Sequence, residues 1–311
     1  MHRGRSGACA KIPAVSAGST VPPPATALRT NAQGIRSMVG AMACFIVNDS
    51  LVKLASASLP AGQLIFVRGL MASLLVLAVM RATGVPARPA QLVRGWVAGR
   101  AAIDAVASLT YLVSLFHLPI ANATAINMAS PLFIVALAGP LLGERVDGRR
   151  WLAIAAGFAG VLLVIQPRVE GFNAFALLCL FATLLHALRD FATRRVPAGV
   201  PSLAVTLATA TAVTLLAGLM SIPQGWVAIG LREWALLATA SVFLAAGYHL
   251  IIRSVRAGDV SVVAPFRYSG LLFALLIGWI VWGDVPNALA WAGIGLLMAA
   301  GLYLIRRERS R

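Results

Sequence analysis

The chain has 311 residues, of which 59% are hydrophobic and 12% are charged, and its mean hydropathy is +0.86. A water-soluble protein needs a polar surface that this composition does not supply, so soluble classes are excluded and an integral membrane protein is predicted. In a membrane protein the formal net charge of +16 reports which side of the bilayer each loop occupies, so we do not expect nucleic acid as a partner.

Ten apolar stretches account for nearly the whole chain. A helix needs about 20 mostly apolar residues to cross a hydrocarbon core roughly 30 Å thick. We therefore predict an all-α integral membrane fold with ten transmembrane helices. In chain order, the predicted spans are 36–55, 63–80, 95–115, 121–142, 151–165, 174–193, 202–222, 234–252, 260–282 and 289–305.

Two short segments flank the spans. Residues 1–34 are basic, rich in Ala and Pro, and free of acidic residues. We expect a disordered cytoplasmic tail; a transit peptide, or an overextended gene start with Met38 as the true start, are the alternatives. Residues 307–311 are expected to form a short cytoplasmic C-terminal tail.

The basic residues predict the orientation in the bilayer. With the N-terminus inside, the inside segments hold 19 Arg and Lys residues, whereas the outside segments hold only Arg168 and Arg232. This asymmetry predicts that both termini are cytoplasmic. Arginine outnumbers lysine 24 to 2, which is typical of a bacterial gene of high GC content, so we expect the bacterial inner membrane.

The second half of the chain repeats the first half at low similarity. A displacement of 140 residues aligns Asn127 with Arg267, and a displacement of 141 aligns Asp49 with Asp190. A repeated unit of five spans must enter the membrane from the opposite side the second time, because five is odd. The pattern therefore predicts an inverted repeat, which is typical of secondary transporters.

Several motifs resemble the EamA family within the drug/metabolite transporter superfamily. They are Phe-Val-Arg-Gly at 66–69, the stretch 121–131 that leads to Gly-Glu at 143–144, and the stretch 264–269 that leads to Gly-Asp at 283–284. The resemblance implies two inverted five-helix EamA repeats, which we place at 35–167 and 172–306. It also implies a central cavity and alternating access without ATP hydrolysis.

Eight charged side chains fall inside the predicted spans. The bases are Lys53, Arg68, Arg100, Arg189 and Arg267, and the acids are Asp49, Asp104 and Asp190. Each costs at least about 2.5 kcal/mol at the bilayer centre unless it has a partner, a wet cavity or a nearby interface. Lys53 and Arg189 lie near helix ends, where snorkelling to the headgroups is an alternative explanation for them. If all eight faced one cavity, the excess of +2 would favour an anionic or carboxylate-bearing substrate.

We predict that a substrate cavity is lined by polar and aromatic residues of several spans. Arg267 is the strongest candidate, because arginine can hold a carboxylate through two parallel hydrogen bonds. Arg100 and Asp104 share one helix face, so a purely structural pair is the alternative there, and a scaffold role is open for Arg68. The candidate cavity residues are Arg267, Tyr268, Asn127, Asp49, Arg68, Arg100, Asp104, Tyr111 and Tyr248.

Three residues are candidates for proton coupling. Asp49 lies about 20 Å into its span, where it cannot reach water cheaply, so it is predicted either to pair with a base or to take up a proton. His186 and Asp190 are four residues apart and could relay protons, although a neutral, hydrogen-bonded histidine is the common alternative. No metal site is predicted, because the three cysteines lack metal-ligand spacing.

These observations favour a secondary active transporter of a small polar or amphipathic metabolite. We expect an exporter of an amino-acid-like or other carboxylate-bearing compound; an importer of a nucleotide-like or vitamin-like metabolite is the alternative. A membrane-embedded enzyme would need a catalytic or metal cluster such as HExxH, and none is visible, so no enzyme activity and no cofactor are expected. The expected partners are a small-molecule substrate and the lipid bilayer, with the chain as a monomer or homodimer.

Overall fold

The computed structural model describes residues 25–86, 92–142, 147–166, 173–197, 199–257 and 260–308. Within these ranges the chain is helical apart from short connections, and it contains no strand. Ten helical segments of the described residues are long and apolar enough to cross a membrane. The prediction of an all-α membrane protein with ten spans is confirmed.

Twelve α-helices and one 3-10 helix build these spans. They are α1 (Ala25–Ala55), α2 (Ala61–Ala82), α3 (Gly95–His117), α4 (Ile120–Asn127), α5 (Ser130–Leu142), α6 (Gly148–Ile165), α7 (Ala174–Arg194), α8 (Ser202–Ser221), α9 (Leu231–Ala257), α10 (Val260–Val263), the 3-10 helix Ala264–Tyr268, α11 (Ser269–Trp282) and α12 (Ala288–Glu308). Residues 25–34 of the predicted tail belong to α1, and residues 1–24 lie outside the described residues. The start of α1 and the end of α12 lie on the same side of the membrane, which we call the termini side. We call the opposite side the far side.

Two spans are interrupted at corresponding positions of the two halves. The fourth span consists of α4 and α5, and the ninth consists of the 3-10 helix and α11. Pro131 has no N–H to donate to the carbonyl of Asn127, so the α-helical hydrogen bonding cannot continue there. Pro265 has the same effect within the 3-10 helix. Broken helices of this kind place backbone polar groups inside a membrane protein where they line a cavity.

The main helix pairs each join one span of the first half to one span of the second half. Span 1 packs on span 8, span 3 on span 6, span 2 on span 7, and span 5 on span 10. Spans 1 to 5 of the first half correspond to spans 6 to 10 of the second half. If every span is exchanged for its counterpart, the 1–8 pair becomes the 6–3 pair, and the 2–7 and 5–10 pairs remain the same. A two-fold axis that relates two inverted halves produces this pattern of pairs.

Spans 5 and 10 approach each other through glycine. A Cβ atom on Gly160 would lie 2.7 Å from the carbonyl oxygen of Gly293, so the two backbones are in direct contact. Small residues permit such close packing between membrane helices. The outer faces are apolar as well: Leu152 and Ile222 expose more than two thirds of their surface, which is the exposure expected of lipid-facing side chains.

Candidate substrate cavity

A cavity of about 420 Å³ lies between the two halves. This volume is within the range of ordinary small-molecule sites. Nine of the eleven residues predicted for substrate binding or proton coupling line it: Asp49, Arg68, Tyr111, Asn127, His186, Asp190, Tyr248, Arg267 and Tyr268. The remaining two, Arg100 and Asp104, lie behind its wall.

The cavity extends from the middle of the bundle to the termini side. Its wall includes Asp49 and Arg68 at mid-bundle, and Ile251 and Ile305, which lie at the termini-side ends of spans 8 and 10. The interruptions of spans 4 and 9 border the same space through Asn127 and Arg267, the two residues aligned by the sequence repeat. The broken helices therefore bring equivalent positions of the two halves to one cavity.

The carboxylate of Asp49 is held by neutral groups. It accepts hydrogen bonds from the Tyr111 hydroxyl at 3.1 Å and from the Asn48 amide at 2.9 Å. Among the described residues no basic side chain lies within 4.0 Å of this carboxylate. Asp49 therefore forms no ion pair with Lys53, although the two residues are four positions apart in α1.

Arg68 is close to this cluster and incompletely bonded. Its Nη1 donates a long hydrogen bond of 3.5 Å to the Asn48 side-chain oxygen, so the Asn48 amide lies between Arg68 and Asp49. Its Nε has no hydrogen-bond partner although the residue is only 9% exposed. A buried guanidinium N–H without an acceptor is costly, so the hydrogen-bonding capacity of Arg68 is not satisfied within the described residues.

A four-membered charge network borders the cavity. Asp104 accepts from Arg189 at 3.0 Å and lies 3.4 Å from Arg100, while Arg189 also binds Asp190 at 2.8 Å. Arg100 and Asp104 do pair as predicted, and Arg100 further donates to Thr209 at 2.6 Å. Asp104 is 3% exposed and therefore supports the wall from behind.

Arg189 corrects the sequence interpretation. Snorkelling to the headgroups was one of the explanations left open for it, whereas its guanidinium group lies on the cavity wall between two carboxylates of different helices. Its adjacency to Asp190 was visible in the sequence, but the contact with Asp104 joins residues 85 positions apart. No pattern in a single sequence indicates that contact.

His186 has a neutral partner. Its Nδ1 lies 2.9 Å from the side-chain oxygen of Asn127, and its ring lies 6.0 Å from the ring of Tyr111. The carboxylate of Asp190 is bonded by Arg189 instead. His186 and Asp190 therefore form no direct hydrogen bond with each other, although both residues line the cavity.

Arg267 and Tyr268 belong to the 3-10 break of span 9. The Arg267 side chain is exposed on the cavity wall, and no carboxylate of the described residues lies within 4.0 Å of it. Tyr268 is 4% exposed, and its hydroxyl has no hydrogen-bond partner. That hydroxyl lies so close to the Gly301 α-carbon that a Cβ atom there would overlap it.

The rest of the wall is largely apolar. Tyr248 packs edge-on against Phe45 with ring centroids 5.4 Å apart, and Met42 and Met128 lie nearby on spans 1 and 4. Asn48, like Ser108 and Thr124, also lines the cavity and was not predicted, because uncharged polar residues are common in membrane helices and carry no distinctive sequence signal.

Lys53 closes the bundle toward the far side. Its ammonium group donates to the carbonyls of Leu115, at 3.1 Å, and Leu118, at the end of α3, and it lies 5.4 Å from the Trp282 ring centre. These contacts give Lys53 partners within the protein, close to the helix end where snorkelling was the alternative explanation. Beyond this layer lies a second cavity of about 260 Å³, here the far-side vestibule, lined by residues that include Asn122 and Asp284.

The described residues contain no group of three or more His, Cys, Asp or Glu side chains that could hold a metal ion.

Comparison with known proteins agrees with this arrangement. The model of the EamA-like transporter family matches residues 32–166 and again residues 173–307. The pseudopaline exporter CntI of Pseudomonas aeruginosa is 30% identical over 285 residues, which cover 89% of this chain and 97% of that protein. A riboflavin transporter of Vibrio cholerae is 25% identical over 90% of this chain and 95% of its own.

Two further comparisons extend these. An S-adenosylmethionine uptake transporter of Rickettsia prowazekii is 24% identical over 91% of this chain and 96% of its own length. A solved crystal structure superposes with a TM-score of 0.57 over 88% of this chain and 98% of that one; at 21% identity, this likeness shows the fold alone.

Proposed function

This chain belongs to the EamA-like transporter family, and we propose that it exports a small, carboxylate-bearing metabolite across the bacterial inner membrane by alternating access. The observation that carries the proposal is the cavity between the halves, in which Arg68 and Arg267 have no carboxylate partner within the described residues. Arginine binds carboxylates through paired hydrogen bonds, and these bonds are strong where water is excluded.

The charge on the cavity wall supports an acidic cargo. Three arginines and two aspartates line the cavity, a formal excess of +1. This is smaller than the +2 expected if all the intramembrane charges faced one space, because Lys53, Arg100 and Asp104 lie elsewhere. A carboxylate on the cargo would neutralise the excess, and the apolar part of the wall would accommodate its aliphatic or aromatic portion.

The access to the cavity supports alternation between two sides. The cavity reaches the termini side, whereas the Lys53 layer separates it from the far-side vestibule. Each half contributes one interrupted span to the cavity wall, and rocking of one half against the other would exchange the open side. We place both termini in the cytoplasm, on the strength of the asymmetry of basic residues, so this conformation would load from the cytoplasm.

Export is proposed as the direction because the relative at 30% identity over nearly its whole length is named an exporter. Uptake of a nucleotide-like or vitamin-like compound is the second candidate, since other relatives are named as riboflavin and S-adenosylmethionine uptake transporters. We further propose that Asp49 takes up a proton in exchange for cargo, because it is a carboxylate on the cavity wall without a paired base. His186 and Asp190 would act as secondary proton sites.

The test is transport by the purified protein in proteoliposomes. An imposed proton gradient should drive flux of at least one compound from a panel of amino acids, dicarboxylates, riboflavin and S-adenosylmethionine. The Arg267→Gln variant should lose most of the flux while keeping its expression and its elution in size-exclusion chromatography. Absence of flux for the whole panel in both directions contradicts the proposal, and flux only into right-side-out vesicles favours uptake.

A further inference from the structure

Three charged groups on the cavity wall have no oppositely charged partner within 4.0 Å among the described residues: Asp49, Arg68 and Arg267. The other charges of this region compensate one another, because Arg100, Asp104, Arg189 and Asp190 form one network with two positive and two negative members. Within the described residues, the charges on the wall without a direct ion pair are therefore two guanidinium groups and one carboxylate.

These groups lie at two depths. Arg68 and Asp49 are joined at mid-bundle through the Asn48 amide. Arg267 lies nearer the termini side, because it precedes Gly270, and Gly270 packs against Met42. Met42 is two helical turns from Asp49, about 10 Å along α1 at 1.5 Å per residue. A ligand that bridges both depths would therefore meet one arginine at each end.

We propose that the cargo is an aminodicarboxylate: a molecule with two acidic groups, one held by Arg68 and one by Arg267, and an amino group held by Asp49. This inference rests on the proposed transport function. Such a ligand complements these charges of the wall one by one, and its first acidic group supplies the carboxylate partner that the Arg68 guanidinium lacks.

Simpler ligands leave a charge uncompensated. A monocarboxylic amino acid would satisfy Arg68 and Asp49 but not Arg267. A dicarboxylate without an amino group would place an acid beside the Asp49 carboxylate with no cation between them. Unpaired charges are costly inside a membrane protein, so each missing group should weaken binding.

The wall between the two depths suits an aliphatic connection between the acidic groups. The side chains of Met42 and Met128 approach Gly270 there, and methionine adapts its shape to an apolar chain. The two acids of the cargo would then be joined by methylene groups rather than by a polar linker.

Three compounds with the same six-carbon skeleton test this assignment: L-2-aminoadipate, adipate, which lacks the amino group, and L-norleucine, which lacks the second acid. Binding to the purified protein in detergent is measured by isothermal titration calorimetry. The wild type should bind 2-aminoadipate at least about tenfold more tightly than either analogue. Equal affinity for the three compounds, or no binding of 2-aminoadipate, overturns the inference.

Two variants test which side chain holds the second acidic group of the ligand and which holds its amino group. Arg267→Gln should bind 2-aminoadipate and norleucine equally, and Asp49→Asn should bind 2-aminoadipate and adipate equally. Because each variant keeps its affinity for one analogue, a folding defect is told apart from loss of a charge. Arg81→Gln, which removes an exposed arginine at the end of α2, should leave the wild-type preference unchanged. A preference that survives Arg267→Gln overturns the assignment.

Failure of this inference is distinguishable from failure of the transport proposal. If the proteoliposome panel shows flux but the wild type does not prefer 2-aminoadipate, transport stands and the aminodicarboxylate assignment falls. If 2-aminoadipate binds with the expected order of affinities but no compound is moved, the assignment of the binding groups stands and the transport proposal falls.

Discussion

The carboxylate of Asp104 accepts a hydrogen bond from the guanidinium group of Arg189 at 3.0 Å, and the two residues belong to different halves of the chain. This contact joins span 3 to span 6 directly behind the cavity wall. Asp104 also lies 3.4 Å from Arg100, so a single buried carboxylate offsets two guanidinium groups.

Replacing Asp104 with Asn should destabilise the protein by about 3 kcal/mol, because it leaves two arginines partly uncompensated in a buried region. Thermal unfolding in detergent measures the effect. Asp190→Asn is the matched control: its side chain is 34% exposed, so the expected loss is about 1 kcal/mol or less. Equal melting temperatures of the two variants would show that Asp104 is not the centre of the network.

Replacing Lys53 with Met should increase the fraction of molecules in which the cavity is open to the far side. The variant keeps an unbranched side chain that is only one heavy atom shorter, but it loses the hydrogen bonds to the Leu115 and Leu118 carbonyls and the cationic contact with Trp282. The loss of even one of these two charged hydrogen bonds, about 1.5 kcal/mol, corresponds to roughly a tenfold change in population, so a change of at least about tenfold is expected. The measurement is labelling of a cysteine at Thr124 by a membrane-impermeant thiol reagent added from the far side, in a cysteine-free background.

Arg232→Met is the control for that experiment, because Arg232 is exposed on the far side at the start of α9. In the Arg232→Met variant, the cysteine at position 124 should be labelled at the same rate as in the parent protein. An unchanged rate in the Lys53→Met variant would mean that other contacts close the far side.

Replacing Gly301 with Ala should impair transport more than stability. The added methyl group would overlap the Tyr268 hydroxyl, so the ring must move within the cavity wall. Gly295→Ala on the same helix is the control, since its Cβ meets nothing within 4 Å. Adding Tyr268→Phe removes the closest overlap and should restore part of the activity.

The Tyr268→Phe change by itself should not reduce the melting temperature. The hydroxyl is buried and without a partner, so its removal relieves a desolvation cost without breaking a hydrogen bond. A clear loss of stability in this variant would show that the hydroxyl has a partner in the folded protein.

Replacing Gly160 with Ala should destabilise the contact between spans 5 and 10 by about 1 to 3 kcal/mol, because the added Cβ would meet backbone atoms that cannot yield easily. Gly99→Ala is the matched control: its Cβ meets nothing within 4 Å, and alanine favours a helix by up to about 1 kcal/mol. Thermal unfolding of both variants in detergent measures the difference. Similar stabilities would contradict the close packing of the two backbones.

The sequence alone was sufficient for the number of spans and the inverted repeat. Both are properties of local composition and of order along the chain: a span is apolar wherever it packs, and an odd repeat must invert. The membership of Asp49, Arg267 and Tyr268 in the cavity wall was also predictable, because charged and strongly polar groups in a membrane core need either partners or a cavity.

Which acceptor each charged side chain bonds to could be seen only in the three-dimensional structure. Asp49–Lys53 and Arg100–Asp104 have the same spacing of four residues, yet only Arg100 and Asp104 pair. Lys53 bonds instead to carbonyls at the end of α3, more than 60 residues away in sequence. Arg189 likewise bonds to Asp104 rather than reaching the headgroups. Helical periodicity specifies which side chains share a face, but the strongest available acceptor depends on which other helices pack there, and only their assembly determines that.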